Sequence, residues 1–215
     1  SKPPARSKVY FIDIPGAKQS AITLGTLSIP GGNPELYKYS VVNNRLGGGM
    51  EARLMRTLRL EKGYTYGAGS FFRENSYQTP FYAYSQVRSN VTLESLEIFK
   101  NIINSYAESY NSEDLELTKN KLIKQNALRF ERLGSLLNML DTISKFNFPD
   151  TYIQEQQDVL RSMNLEDAKS IAQSEFNADK MYFVIAGDAK TQLSRIKELG
   201  YGNPIMLDRE GNTIK

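Results

Sequence analysis

The chain has 215 residues, of which 40% are hydrophobic and 24% charged, and its formal net charge is +3. This composition is that of a folded globular protein and excludes a chain that is disordered, collagen-like or coiled coil throughout. The net charge is too small to indicate nucleic acid or an anionic membrane as a partner. The longest apolar stretch, Met181–Ala186, is far shorter than the ~18 residues that a membrane-spanning helix needs.

Cysteine and histidine are both absent from the sequence. The chain therefore has no disulfide, no zinc–thiolate site, no Ser-His-Asp triad and no imidazole metal ligand. Any catalysis by this chain alone would have to use carboxylates, Lys, Tyr or Ser, which makes a self-sufficient hydrolase a poor interpretation. The N-terminus has neither an initiator Met nor the apolar region of a signal peptide. We interpret the sequence as a processed chain or a fragment of a longer one.

The first half of the chain alternates pairs of strands with a pair of helices. Periodicity and turn residues predict strands at 9–14 and 21–29, helices at 34–46 and 51–62, and strands at 64–72 and 81–88. Gly47, Gly48 and Gly49 separate the two helices, and Gly63 ends the second as a C′ residue. Residues 73–79 predict an antiparallel hairpin loop, and the second strand of that hairpin alternates apolar and polar side chains as a half-buried strand does.

The second half is mainly helical. Helices are predicted from Thr92 to about Tyr110, from Asn111 or Ser112 onward to Lys145, at 151–161, at 165–176 with Asn164 as the cap, and at 191–199. At helical spacing, the apolar residues after Asn111 fall on one stripe: Leu115, Leu122, Ile123, Phe130, Leu133 and Leu137. A buried strand is predicted at Met181–Ala186.

This order of elements predicts an α+β fold, a largely antiparallel sheet with helices packed on one face. We expect an N-terminal arm or linker at 1–7, a single domain at 8–200 and a C-terminal tail at 201–215, with a possible hairpin at 209–212.

Two groups of residues suggest ligands but have simpler interpretations. The run Gly47–Gly49 before a helix could bind phosphate, yet both glycine-rich nucleotide motifs are absent, which favours a helix-to-helix turn. Four basic residues lie opposite the apolar stripe and could contact nucleic acid: Lys121, Lys124, Arg129 and Arg132. Glu116 and Glu131 dilute that charge, which favours a solvated helix face and no nucleic-acid partner.

The sharpest segment joins the second helix to the third strand. Arg59 is placed on the last turn of the helix, Gly63 ends it, and Tyr66 lies at the start of the strand. A guanidinium and a phenol could therefore converge where helix meets sheet. The alternative is structural, an Arg stacked on a Tyr beside a sheet edge, and the residues by themselves leave both open.

These residues resemble the pitrilysin/insulinase-like zinc peptidases, the superfamily of mitochondrial processing peptidase and of the core proteins of the respiratory cytochrome complex. The matching motif is a glycine turn at Gly47–Gly49, then Ala52-Arg53-Leu54, then Arg59, Gly63 and Tyr66. The similarity continues from Phe11 to Gly25 and at Phe183–Gly187, over about residues 8–200. Two departures are Tyr64, where the family usually has an aliphatic residue, and the flexible run Gly67–Gly69 after Tyr66.

The resemblance implies a mitochondrial processing peptidase-like fold and a place in the metal-free half of a two-part zinc peptidase. It implies that Arg59 and Tyr66 hold the substrate backbone and that no residue of this chain is catalytic. It implies zinc in a homologous partner domain or subunit, none in this chain, and a peptide as substrate. The alternatives are a structural assembly protein of the same fold and a stand-alone peptide-binding module. We expect a soluble protein, and the sequence leaves open whether its compartment is the bacterial periplasm or the cytoplasm.

Overall fold

A computed structural model describes residues 4–214, and of residues 127–129 the backbone alone. Within this range six strands form one mixed sheet, in the order β3-β4-β2-β5-β1-β6. Their bounds are Lys8–Asp13 (β1), Gln19–Leu27 (β2), Thr65–Phe72 (β3), Pro80–Arg88 (β4), Tyr182–Gly187 (β5) and Ile205–Leu207 (β6). The predicted hairpin β3–β4 is confirmed, since these strands pair antiparallel from Thr65 and Val87 to Phe72 and Phe81.

Strands β1 and β2 are neighbours in the chain but not in the sheet. Strand β5 lies between them, antiparallel to β2 and parallel to β1. Strand β6 extends the sheet beyond β1 in parallel. Three of the described pairings are thus antiparallel and two are parallel, and the α+β class is confirmed.

The described helices are Leu36–Gly47 (α1), Arg53–Met55 (α2), Thr92–Asn104 (α3), Tyr106–Ser109 (α4), Ser112–Arg129 (α5), Leu133–Phe146 (α6), Tyr152–Ser162 (α7), Leu165–Glu175 (α8) and Ala189–Ile196 (α9). Helices α1, α3 and α9 pack on one face of the sheet, where alternate strand residues such as Phe11, Leu24, Phe81 and Phe183 are fully buried. The other face, which we call the open face, carries the intervening side chains, among them the exposed Tyr84. No described helix combines the length and apolarity needed to cross a membrane.

Local signals set two of the helix starts as the sequence predicts. Before α8, the Asn164 side chain accepts from the Asp167 backbone N–H while the Asp167 carboxylate accepts from Asn164 N–H. Before α5, Asn111 and Asp114 make the same reciprocal pair. Each arrangement satisfies two N–H groups that a helix start otherwise leaves unpaired.

The predicted single apolar stripe after Asn111 is wrong. Helix α5 ends at Arg129 and a separate helix begins at Leu133. Leu115 is buried, but four later members of the stripe are exposed: Ile123, Phe130, Leu133 and Leu137. The apolar residues keep their helical spacing across the break between Arg129 and Leu133, and the sequence pattern therefore does not reveal the break.

The predicted solvated basic face is corrected at one position. Lys121 is half-buried and its Nζ donates to Asn44 Oδ1 at 3.1 Å and to the Gly48 carbonyl at 3.3 Å. This lysine therefore holds the glycine turn instead of facing solvent freely. Lys124 and Arg132 are exposed, and the side chain of Arg129 lies outside the described part of the chain.

The predicted helix at 51–62 is irregular. Three residues of α-helix, α2, are followed by a π-helical turn over Arg56–Glu61. Gly63, at φ +63°, has the left-handed conformation expected of a C′ residue.

Both end segments contact the domain. Ser7 is buried and its hydroxyl donates to the Ala178 carbonyl at 2.5 Å. Residues 205–207 form β6, and Leu207 bridges Thr213 across the turn predicted at 209–212. Part of the segment 201–215 thus belongs to the sheet.

Candidate functional site

Arg59 lies in the π-helical turn that leads into strand β3. Its side chain is exposed, and Nη1 lies 3.6 Å from Met50 Sδ. A π-helical turn widens the backbone by one residue, and such turns are frequent at functional sites. Here the turn presents Arg59 and the 63%-exposed Leu60 to solvent, while Leu58 anchors it in the core.

The connection from this turn to β3 is fixed by backbone hydrogen bonds. Gly63 N–H donates to the Arg59 carbonyl at 3.2 Å, and Tyr64 N–H donates to the Leu58 carbonyl at 2.9 Å. The Tyr64 carbonyl accepts from Arg88 N–H at 3.3 Å, which ties the entry of β3 to the end of β4. Since Gly63 has positive φ, a side chain at this position would be strained.

Tyr66 lies in a β-bulge at the start of β3. Thr65 pairs with Val87 and Ala68 with Ser85, so three steps along β3 match two along β4. The extra residue places Tyr66 and Gly67 opposite a single partner position on the open face. Tyr66 is 88% exposed.

The hydroxyl of Thr65 stabilises this bulge. It accepts from Gly67 N–H at 3.0 Å and lies 2.7 Å from the Gln86 carbonyl, to which it donates. The Gly67 carbonyl in turn accepts from the Ser85 hydroxyl at 2.9 Å. Thr65 is thus a positioning residue for Tyr66, and sequence reasoning missed it because a lone Thr in a strand gives no signal.

Arg59 and Tyr66 lie at the same end of β3 without touching. Among the described contacts, neither a hydrogen bond nor a cation–π contact joins them, so the alternative of a stacked structural pair is not formed. Both side chains are exposed, so the N–H donors of Arg59 and the O–H donor of Tyr66 are accessible to solvent. The arrangement leaves one guanidinium and one hydroxyl exposed at this end of β3.

The glycine turn of the motif has a packing role. An added Cβ at Gly47 would collide with the backbone N and the hydroxyl of Ser70 in β3. Close contact is reinforced by Asn43, whose Nδ2 donates to the Ser70 carbonyl at 2.9 Å. Gly48 and Gly49 continue the turn, with Gly49 at φ +152°. The following α-helix has three residues, too short for a phosphate site at its N-terminus.

Arg53, in the middle of the motif, is committed to the fold. Its Nη2 lies 2.6 Å from Asp114 Oδ2, and its guanidinium stacks 4.7 Å above the Tyr106 ring. Arg45 of α1 donates from Nε to Asp114 Oδ1 at 3.0 Å. We call Arg45, Arg53 and Asp114 the carboxylate clamp. No local pattern indicates this role of Asp114, because its partners lie far away in the chain.

No group of three or more metal-ligating side chains is present among the described residues. Comparison with known proteins identifies the family. The family model described as the peptidase M16 inactive domain matches residues 1–122. The chain belongs to this family. The resemblance to the metal-free half of pitrilysin/insulinase-like peptidases is thereby confirmed.

The relatives of this M16 inactive domain are longer chains, of which it matches only a part. It is 24% identical over 159 residues to the non-peptidase homolog YmxG of Helicobacter pylori, covering 73% of this chain and 36% of YmxG. A peptidase M16 inactive domain from Pseudomonas fluorescens superposes with a TM-score of 0.78 at 24% identity, over 87% of this chain and 45% of that one. A protease from Helicobacter pylori gives a TM-score of 0.76 at 14% identity, over 84% and 44%. The domain thus spans less than half of each of these chains.

A similar fold occurs in one chain of a larger complex. Complex III2 from Candida albicans contains a chain with a TM-score of 0.67 and 11% identity, covering 89% of this domain and 48% of that chain. At this identity the likeness shows the fold alone.

Proposed function

We propose that this M16 inactive domain is the substrate-binding, non-catalytic half of a two-part zinc metallopeptidase. The observation that carries the proposal is the pair Arg59 and Tyr66, both exposed and held in place by a π-helical turn and a β-bulge. Irregular backbone of this kind is a feature of functional sites. Arg53, the other arginine of this motif, is engaged in the carboxylate clamp, whereas Arg59 is exposed and available to a ligand.

The chemistry of the two side chains suits a peptide backbone. A guanidinium supplies five N–H donors and a phenol supplies one O–H donor, and both match carbonyl oxygens. Donors fixed before the substrate arrives can orient it and stabilise negative charge that develops on a peptide carbonyl. Neither group can activate water, so the hydrolytic step is assigned to the partner.

The proposed partner is a homologous domain or subunit that carries the zinc. The relatives described above are roughly twice as long as this domain, which leaves room in them for a second domain of similar size. We propose that the peptide binds between the two halves, with Arg59 and Tyr66 facing the zinc-bearing half.

The name of one relative favours a second candidate. YmxG is described as a non-peptidase homolog. Under this alternative the domain pairs with a homologous chain as an assembly protein and cleaves nothing. A stand-alone peptide-binding module is the remaining alternative.

The experiment is reconstitution of cleavage from the two halves. The domain is mixed with a zinc-bearing M16 half from the same organism, and kcat/KM is measured on a quenched fluorescent peptide. Arg59→Ala should lower kcat/KM roughly ten- to two-hundred-fold, because a hydrogen bond to a charged group contributes about 1.5–3 kcal/mol. Tyr66→Phe should cost less, about two- to ten-fold, because a neutral O–H contributes about 0.5–1.5 kcal/mol.

Matched controls lie close by. Arg56→Ala removes an exposed arginine of the same turn, and Tyr77→Phe removes the hydroxyl of a tyrosine that is 84% exposed. Both should leave kcat/KM within twofold. Unchanged kinetics for Arg59→Ala and Tyr66→Phe would remove the pair from the mechanism. Full activity of the zinc-bearing half alone would favour the assembly protein.

A further inference from the structure

A cleft lies between the end of α8 and the segment that follows β2. Its volume is about 380 Å³, within the range of ~300–1,000 Å³ that small-ligand sites occupy. Glu175, the last residue of α8, and Ser28, directly after β2, both line it. Ser28 N–H donates to the carbonyl of Thr79, which precedes β4, so the cleft lies at the opposite end of β4 from Tyr66. We call it the Glu175 cleft.

The Ser28 hydroxyl is buried in this cleft without a partner. Ser28 is 8% exposed, and its Oγ makes no hydrogen bond to any group in the described part of the chain. It lies near the Glu175 carboxyl without the geometry of a hydrogen bond. Buried hydroxyls are nearly always hydrogen-bonded, because leaving one unpaired costs free energy. An unpaired hydroxyl that lines a cleft therefore points to a polar ligand there.

Glu175 has no counter-ion among the described ion pairs. Lys180 also lines the cleft, but it is exposed and forms none of these pairs. Tyr39 of α1 is near, since burial and, to a lesser extent, the charge of Glu175 raise the pKa of its phenol. Burial also raises the pKa of Glu175, which the Ser28 hydroxyl lowers only in part. The charged carboxylate is thus poorly solvated, and a cation beside it would stabilise that charge.

The surroundings favour a monovalent cation. The cleft lies at the C-terminus of α8, where the last carbonyls form the negative end of the helix dipole. A calcium ion takes about six to eight oxygen ligands, which a lining with one carboxylate does not supply. A primary ammonium has a single charge and three N–H donors. The Glu175 carboxylate, the Ser28 hydroxyl and the side-chain carbonyl of Gln78 provide three acceptors in the lining.

The remaining walls suit an aliphatic stem. Leu27, Ile29 and Pro30 supply apolar surface in the same lining as Glu175. A charged head on a flexible hydrocarbon stem buries the stem along such surface and keeps its donors for the polar end. A purely apolar ligand would leave Glu175 and Ser28 unpaired, and an anion would be repelled by the carboxylate.

We propose that the Glu175 cleft binds a primary ammonium group on an aliphatic stem, carried by a lysine side chain of a polypeptide or by a free alkylamine. The inference does not rest on the proposed function, because Arg59 and Tyr66 lie at the other end of β4. Binding requires the charged carboxylate, so the ligand displaces the proton that burial favours. Affinity therefore rises with pH through the raised pKa of Glu175.

The test follows amide signals of the ¹⁵N-labelled 215-residue chain in ¹H–¹⁵N correlation spectra. N-acetyl-lysine N-methylamide is the probe for a lysine side chain, and n-butylammonium chloride is the probe for a free amine. Both should shift the signals of Ser28 and Glu175 in a saturable way, and n-butylammonium alone would assign the cleft to free amines. N-acetyl-norleucine N-methylamide, which keeps the stem and lacks the ammonium, should bind about tenfold more weakly than the lysine probe or worse.

Variants separate the cleft from general attraction of cations to the surface. Glu175→Gln removes the charge at nearly constant size and should weaken amine binding about tenfold or more. Ser28→Ala removes a neutral acceptor and should weaken it about two- to ten-fold. Glu166→Gln is the matched control, because Glu166 is an exposed residue of the same helix that does not line the cleft. Lys180→Ala removes a like charge and should tighten binding by no more than about threefold.

Three results would overturn the cleft: no saturable shift with either amine, equal affinity for the norleucine compound, or equal weakening by Glu175→Gln and Glu166→Gln. An affinity that does not rise between about pH 4 and pH 7 would also contradict it. A larger gain for Lys180→Ala would show that the chain's own lysine fills the cleft, which overturns the proposal too. The outcome is separable from the proposed function, since Glu175→Gln should leave kcat/KM within twofold and Arg59→Ala should leave amine affinity unchanged.

Discussion

The carboxylate clamp offers the sharpest test of how the motif segment is held. Asp114, at the start of α5, has a side chain that is 8% exposed and pairs with Arg45 and Arg53, whose side chains are 20% and 23% exposed. It also accepts from Asn111 N–H at 3.3 Å. One carboxylate thereby joins α1, α2 and α5. Asp114→Asn keeps the shape and one carbonyl acceptor but removes the charge that both guanidinium groups face.

The magnitude follows from the partial burial of the clamp. Removing one partner of a fully buried ion pair costs about 3–5 kcal/mol, whereas exposed pairs contribute about 0–1 kcal/mol. Water still reaches both arginines, and the remaining carbonyl keeps part of the hydrogen bonding. We therefore expect Asp114→Asn to lower the free energy of unfolding by about 2–3 kcal/mol. For a domain of this size that lowers Tm by about 4–12 °C.

Urea unfolding followed by far-ultraviolet circular dichroism measures the loss. The control is Glu61→Gln, which breaks the ion pair of Glu61 with Arg56, whose side chains are 50% and 70% exposed. That variant should lose at most about 0.5 kcal/mol. Equal losses for the two variants, or a loss below about 0.5 kcal/mol for Asp114→Asn, would refute the reasoning from burial.

Three further predictions concern packing, protonation and the bulge. Gly47→Val should lower the free energy of unfolding by about 1–3 kcal/mol, because its side chain collides with Ser70, and a thermal melt measures this. Burial raises the pKa of Glu175, so the native domain should lose stability as pH rises from the ordinary pKa of Glu through the raised one. Glu175→Gln should accordingly be the more stable form at pH 7 and equal to the parent near pH 4, in melts across that range. Thr65→Val should lower kcat/KM of the reconstituted enzyme by no more than Tyr66→Phe does, because it acts through the position of Tyr66.

Each of these has a clear contradictory result. A melt of Gly47→Val that matches the parent would mean that α1 and β3 can separate at no cost. A stability gain of Glu175→Gln that persists near pH 4 would point to packing and not to charge. A loss of turnover for Thr65→Val with Tyr66→Phe unaffected would mean that the bulge acts on something other than the phenol.

Features set by neighbouring residues could be predicted from the sequence. The Asn164 cap, the Gly63 helix end and the alternation in β4 each depend on side chains within a few positions of one another. The same holds for the placement of Arg59 before Gly63 and of Tyr66 after it. The π-helical turn was missed because the sequence predicts an ordinary helix over 51–62. The extra residue in the turn shows only in the backbone hydrogen bonds.

Features that depend on strand order could not be predicted in this way. Nothing local to β1 and β2 indicates that a strand from near the end of the chain lies between them. Asp114 illustrates the same limit for charges, because a lone acidic residue near a helix start is adequately explained as a cap. Its pairing with Arg45 and Arg53 follows only from how α1, α2 and α5 pack.

The aromatic cluster on the open face is a direct consequence of that strand order. Had β1 paired with β2 as a hairpin, Gly25 would have had a residue of β1 on one side, and Tyr182 would have stood elsewhere on the sheet. Inserting β5 pairs Tyr182 with Gly25 and packs Tyr10 against Tyr182, with ring centroids 5.9 Å apart. On the other side of Gly25 the ring of Tyr82 covers the glycine, because its Cδ1 lies 3.3 Å from where a Cβ would stand. The parallel pairing of β1 with β5 therefore does more than extend the sheet, since it brings aromatic rings from both ends of the chain onto the face that presents Tyr66.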